Sequence, residues 1–296
     1  MTEYILNQQL KNNPFVYRDI LTIPRSVNFG LELELDNIDP DKVYKLVRSQ
    51  ISEDWKIKGD VTLTDGESAE IVSPILQNNK DTWILLKELS DLIFELDADY
   101  NNCSFQVNFD GNFLPSLENK MDFLKFFAMY EDIIYRFSKG EDSEYRDSLD
   151  IYAAPIFSDL KHGVLAIKNK LKHYSLEWVI ESFSERKRFG VEFKTDNLDL
   201  IEFRTPNMTD NPILWQNYIT TFYYILDAVC NDKYNKKEVD KYIRKTDKLY
   251  LLENYELEKK EKALDFCNII FPHSIDRINF MHQYLGDNHP KKYVLK

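Results

Sequence analysis

Several things are scarce in this 296-residue chain, and each scarcity closes off a class of protein. No stretch approaches the roughly 18 consecutive apolar residues that a membrane-spanning helix needs. The N-terminus MTEYILNQQLKNNPF lacks the basic, apolar, small-residue order of a secretory signal, so the expectation is a cytoplasmic protein with no membrane association. Only three cysteines are present, Cys103, Cys230 and Cys267, odd in number and far apart. They suggest neither a disulfide framework nor a zinc site, and buried thiols are the expectation. Positive charge is also short: the formal net charge is −12, which argues against a nucleic-acid partner because phosphate binding draws on clustered Lys and Arg. There is no phosphate loop, no dinucleotide fingerprint, no nucleophile elbow and no His-Glu-x-x-His, and the five histidines, His162, His173, His273, His282 and His289, have no metal-ligand spacing.

What the chain does have is core material and patterned strands. Hydrophobic residues make up 43%, with 19 Phe and 18 Tyr, enough to exclude wholesale disorder. Charge is uneven: residues 232–296 carry 14 basic and 11 acidic side chains, leaving 24 basic and 39 acidic in the rest. The organisation expected is a main domain over 1–231 with a charged, Tyr-rich helical extension over 232–296 packed on it, where Leu257, Leu264, Ile269 and Ile270 form an apolar stripe.

Residues 27–36, VNFGLELELD, alternate strictly, with Phe29, Leu31, Leu33 and Leu35 on one side and Gly30, Glu32, Glu34 and Asp36 on the other. Asp39-Pro40 opens a helix through Gln50. Short alternating runs follow at Trp55–Lys58, Val61–Thr64 and Ser68–Ser73, with Asp65-Gly66 as a hairpin turn. Helical spacing marks Lys80–Leu96, 117–138, Ser158–Ser182 and the aromatic-rich segment from Asn211-Pro212 to Asn231. Further strands are read at Asn102–Asp110, Lys187–Thr195 and Leu198–Thr205, the last two joined by a turn around Asn197, and 140–150 reads as an acidic loop. Strand groups with tight turns, separated by helices, predict an α+β fold: an antiparallel-dominated sheet with helices on one face.

The residues opposite the apolar side of each strand carry the chemistry. They are Glu32, Glu34, Asp36, Glu70, Gln106, Asn108, Asp110, Arg188, Glu192, Glu202 and Arg204. Carboxylates crowded on adjacent strands repel unless cations lie between them. Glu32 and Glu34, two apart on a strand, leave the same face about 6.5–7 Å apart at their Cα atoms, a reach suited to hard cations, Mg²⁺ first among them. Glu202-Phe203-Arg204 sets a carboxylate beside a guanidinium that can fork onto a phosphate. Singly, a solvated acidic strand or a surface ion pair accounts for each motif; repetition of the arrangement gives it weight.

The ordered segments FGLELELD, WKIKGDVTLTDGESAEIVSP, NNCSFQVNFD, YAAPI and LDLIEFRTPN resemble the amidoligase family of glutamine synthetase-like carboxylate–amine ligases. The resemblance runs from Phe29 to Asn207, and order and spacing carry it rather than any single motif. It implies a curved, glutamine synthetase-like catalytic sheet and an ATP-dependent ligation that forms an amide or isopeptide bond through an acyl phosphate. The expected substrates are a peptide, a protein or a small amine and carboxylate such as a cell-wall fragment. It further implies that Glu32, Glu34, Glu70 and Glu202 hold Mg²⁺ or Mn²⁺, that Arg204 and Arg188 are catalytic, and that Gln106, Asn108 and Arg204 bind the nucleotide. One departure stands out: the family's His-x-His is Gln106-Val107-Asn108 here. Amide oxygens suit Mg²⁺, so the site either survives with a changed metal preference or belongs to a non-catalytic relative that binds a nucleotide or peptide. A two-metal hydrolase built on the same acids is the third reading.

Overall fold

The computed structural model describes residues 3–59, 67–140, 146, 148–184, 188–195, 199–247, 255 and 257–286. The elements, in chain order, are α1 (Glu3–Asn12), β1 (Asn28–Leu35), α2 (Pro40–Gln50), β2 (Lys56–Gly59), β3 (Ala69–Val72), β4 (Leu76–Gln77), α3 (Lys80–Leu96), β5 (Phe105–Asp110), α4 (Leu117–Ser138), α5 (Leu149–Tyr152), α6 (Phe157–Lys168), α7 (Leu176–Glu181), β6 (Val191–Lys194), β7 (Leu200–Phe203), α8 (Pro212–Cys230) and α9 (Lys236–Lys245). Two more helices follow, α10 (Lys260–Ile270) and α11 (Ser274–Leu285). The expected strand at Val61–Thr64, the Asp65-Gly66 and Asn197 turns, most of the 140–150 loop and His289 lie outside the described residues.

Among the described residues seven strands form one sheet in the order β2-β3-β1-β5-β7-β6, with β4 also on β1, and each of these pairings is antiparallel. The class is α+β. Helix starts follow local chemistry: Asn79, Ser116 and Asn211 each accept a hydrogen bond from a first-turn backbone N–H, and Pro212 occupies a position where its missing donor costs nothing. β3 and β4 read as one strand interrupted at Ser73-Pro74. Proline cannot donate to the ladder, so the chain leaves the sheet there. The Ser73 hydroxyl accepts from Leu31 N at 2.8 Å, satisfying the donor the break exposes, and Ile75 is turned outward, 76% exposed.

Register fixes which side chains share a face. Leu33 lies opposite Ile71 and Phe105, Leu31 opposite Val107, and Val107 opposite Phe203. This apolar face meets the helices. Phe203 stacks on Phe222 of α8 at 4.3 Å between centroids, Phe105 on Trp215 at 5.5 Å, and Phe123 of α4 meets Phe203 edge-on at 5.8 Å. Helices beyond residue 231 join the same core: Phe280 of α11 stacks on Phe137 of α4 at 4.5 Å, and Ile243, Phe266 and Ile270 are fully buried. Of the expected C-terminal stripe, Ile270 is buried and Leu264 and Ile269 pack against the core, but Leu257 is 59% exposed. Cys103 and Cys267 are buried free thiols as expected, whereas Cys230 ends α8 exposed. Among the described residues no helix is long and apolar enough to cross a membrane.

Candidate functional site

The second face of the sheet gathers the charged residues. Pairing sets Glu34 opposite Glu70, Glu32 opposite Gln106, Asn108 opposite Glu202, and Glu202 opposite Glu192. Because directly paired residues project to the same side, Glu70, Glu32, Glu34, Gln106, Asn108, Glu202 and Glu192 share one face spanning five strands. Glu202 is thus on the same side as Glu32 and Glu34.

The face divides into a buried half and a half that opens into a groove. In the buried half, Glu34 accepts hydrogen bonds from Ser104 N and Gln106 Nε2, both at 2.7 Å. The same Gln106 accepts from Arg204 Nη1 at 3.1 Å through its Oε1. Arg204 Nη1 also pairs with Glu202 Oε2 at 2.8 Å, and its Nε donates to the Tyr152 carbonyl at 3.0 Å. Glu202 is fully buried, and Arg204 nearly so. Burial alone would lower the Arg204 pKa, but the Glu202 carboxylate beside it raises it above the ordinary value. Arg146, also buried, donates to the carbonyls of Pro206 and Arg204 at 2.7 Å each, and burial lowers its pKa to about 10.

The groove holds about 800 Å³ and is lined by Glu32, Glu70, Asn108, Glu192, Lys58 and Lys194, with Asp110 and Asp199 at one end. Phe29, Leu31, Val72, Pro74, Ile75 and Leu200 supply apolar wall, Ile75 being placed there by the break at Ser73-Pro74. Lys194 Nζ sits between two carboxylates, 3.0 Å from Glu32 Oε1 and paired with Glu202 Oε1. Asn108 Nδ2 donates to Glu32 Oε1 at 2.8 Å, while its Oδ1 is buried without a hydrogen-bond partner among the described residues. Lys58 approaches Glu70 at 3.4 Å. Burial, then the hydrogen bond to Glu32 and its charge, push Glu70 up to about 7. Burial opposes ionisation of Glu32 as well, but the hydrogen bond from Glu70 and the Lys194 ammonium outweigh it and hold Glu32 well below the ordinary carboxylate range. The two acids are therefore coupled, with Glu70 the one pushed toward its protonated form.

The structure thus joins Glu32, Glu70, Asn108, Gln106, Glu202 and Arg204 through short links, but it does not bring all four expected metal carboxylates to one point. Among the described residues no three His, Cys, Asp or Glu side chains form a ready metal-holding group. Glu34 is committed to Ser104 and Gln106, on the buried side. The groove half fits a hard divalent cation better: its donors are all oxygen, the Asn108 carbonyl oxygen lacks a partner, and an ammonium already stands between Glu32 and Glu202.

Arg188 lies outside the site. The chain at 188–190 runs beside Ala154, whose N donates to the Arg188 carbonyl at 2.7 Å, and only Gly190 reaches the β7 side, its carbonyl accepting from Arg204 N at 2.9 Å. Its guanidinium lies exposed over the Phe189 ring, 5.2 Å from the centroid, correcting the expectation that it joins the acidic face. Sequence reasoning missed Lys194 and Lys58. Lys194 was legible from period two, since it follows Glu192 on the same face; Lys58 required the β2–β3 register, in which it lies opposite Glu70.

Comparison with known proteins gives no matching family model and no matching curated protein.

Proposed function

We propose that the groove is the reaction cleft of an ATP-dependent carboxylate–amine ligase of the glutamine synthetase-like type, joining a carboxylate and an amine of a peptide, protein or cell-wall fragment in the cytoplasm. The observation that carries this reading is the single face of acids, amides and Arg204 across five antiparallel strands, in the order in which the sequence resembles amidoligases. Glu32, Glu202, Glu70 and the Asn108 carbonyl oxygen are the residues that would hold Mg²⁺ or Mn²⁺, which when bound supplies charge neutralisation for the nucleotide phosphates. Lys194 and Lys58 add positive charge at the groove, and the Glu202–Arg204–Gln106 chain holds the floor rigid beneath it. No covalent nucleophile is needed, since the substrate carboxylate itself attacks the γ-phosphate and the amine then displaces phosphate.

A second reading is a non-catalytic nucleotide- or peptide-binding relative. Gln106 favours it: in place of a histidine ligand stands an amide spent on Glu34 and Arg204. The deciding experiment incubates the purified protein with ATP, Mg²⁺ or Mn²⁺, and panels of carboxylate and amine donors. Phosphate release that requires both donors, with a condensed product by mass spectrometry, is the expected result. Nucleotide binding by calorimetry without turnover transfers the protein to the second reading. Ester hydrolysis that needs no nucleotide overturns both in favour of a metallohydrolase.

A further inference from the structure

Lys194 is the one ammonium in the described site that bridges two carboxylates from different strands, Glu32 on β1 and Glu202 on β7. Its surroundings are unusual for a structural ion pair. Glu202 is fully buried and already paired with the buried Arg204 at 2.8 Å, whereas its second partner, Lys194, is 28% exposed at the groove wall, so Lys194 is the counter-ion with a path to solvent. Both partners of the ammonium are carboxylate oxygens, and on the same groove Asn108, whose Nδ2 donates to Glu32 Oε1, has a buried Oδ1 without a hydrogen-bond partner among the described residues. Lysine carries a compact charge on a flexible four-carbon stem, so its head can leave toward solvent without disturbing the strand that bears it.

We propose that Lys194 is a tethered counter-ion that fills the cation position between Glu32 and Glu202 in the resting protein and yields it to a divalent cation, making Lys194 the residue that sets divalent-cation affinity at the groove. The proposal rests on the groove being a cation-dependent cleft, but not on what reaction follows. Two positive charges cannot share this point, since repulsion between them is strong where Glu202 is desolvated. Cation entry therefore requires the Lys194 head to move out, and the work of breaking its two ion pairs is subtracted from the cation's affinity.

The test measures Mn²⁺ alone, without nucleotide, by the loss of the free-ion electron paramagnetic resonance signal on wild type, Lys194→Met and Lys194→Arg. Lys194→Met should bind one Mn²⁺ about tenfold or more tighter than wild type, the equivalent of removing one competing charge-assisted pair. Lys194→Arg should remain as weak as wild type. Adding Glu32→Gln to Lys194→Met should abolish the gain. If Lys194→Met folds poorly without a cation, its refolding yield in Mn²⁺ against chelator reads the same competition, and a higher yield in Mn²⁺ supports it. Equal Mn²⁺ affinity in folded wild type and Lys194→Met, or equal refolding yields, overturns the proposal. Tighter Mn²⁺ binding in Lys194→Met combined with no ATP binding in any variant keeps the counter-ion role and removes the ligase reading, so the two failures are told apart.

Discussion

Two groups of buried and half-buried carboxylates stand out among the described residues, and they are held in different ways. On α4, Glu131 is fully buried and accepts from Ile156 N and Phe157 N at 3.1 Å each and from the Tyr255 hydroxyl at 2.6 Å. Its neighbour Asp132 pairs with Lys259 and Lys262 at 2.7 Å each. These partners come from segments distant in sequence, two of them are fixed backbone donors, and neither acid lines the groove. On the sheet, Glu32, Glu34, Glu70 and Glu202 are held mainly by side chains of the same face, and one of those, Lys194, is partly exposed at a groove. Burial of an acid therefore does not mark function. Counter-ions are partly exposed in both groups, Lys259 at 36% and Lys194 at 28%, so what separates them is that the sheet acids Glu32 and Glu70 line a groove and the α4 acids do not.

The comparison is broken most forcefully at Glu131. Glu131→Ala leaves two backbone donors and a tyrosine hydroxyl without their acceptor in a closed core, and should cost about 3–5 kcal/mol in urea unfolding. Mn²⁺ binding by the fraction that folds should be unchanged. A mild loss of stability with lost cation binding would place Glu131 in the same class as the sheet acids.

Glu202→Gln should act on both counts. It keeps the shape but removes the charge that Lys194 and Arg204 share, so about 2–4 kcal/mol of stability should go together with Mn²⁺ binding. Arg204→Lys comes next. Its guanidinium links Glu202, Gln106 and the Tyr152 carbonyl, a geometry that an ammonium cannot copy, so a loss of about 1–3 kcal/mol is expected alongside reduced turnover. Turnover lost at full stability would instead show that the fork serves only the ligand.

Faces were the most legible part of the sequence because period two is a property of the strand itself. Alternation in FGLELELD and SFQVNFD was enough to put Glu32, Glu34, Gln106 and Asn108 on one side, and the register confirms it. Pairings that depend on distant chain were not legible. Lys194 could be placed on the face by counting from Glu192, but that its ammonium meets Glu32 of β1 depends on the strand order β1-β5-β7-β6, which no local pattern contains. Arg188 was hidden for the same reason: its segment lies against Ala154, 34 residues earlier, and β6 begins at Val191. The split of the acidic face into a buried and an open half was equally hidden, since Glu32 and Glu34 look alike in sequence while Glu34 alone meets Ser104 N and Gln106.

The smallest expected effect, and the sharpest on how the open half works, is the pH dependence of Glu70. Its carboxyl is pushed up to about 7 by burial first and then by its hydrogen bond with Glu32 and that residue's charge, against an ordinary value of 4.5. A carboxyl whose pKa is raised on folding contributes stability that is complete below the ordinary value and is lost as pH rises through the folded one. Wild type should therefore lose stability between about pH 5 and 7.5, modestly, because Lys58 and groove solvent offset the charge that appears. Glu70→Gln keeps a donor for Glu32 and has no proton to lose, so its urea unfolding should be flat across that window. Parallel slopes in the two proteins would mean that Glu32 and Glu70 are not coupled. The open half would then hold its acids apart as separately paired carboxylates, as α4 holds Glu131 and Asp132, and the contrast between the two groups would reduce to Lys194 alone.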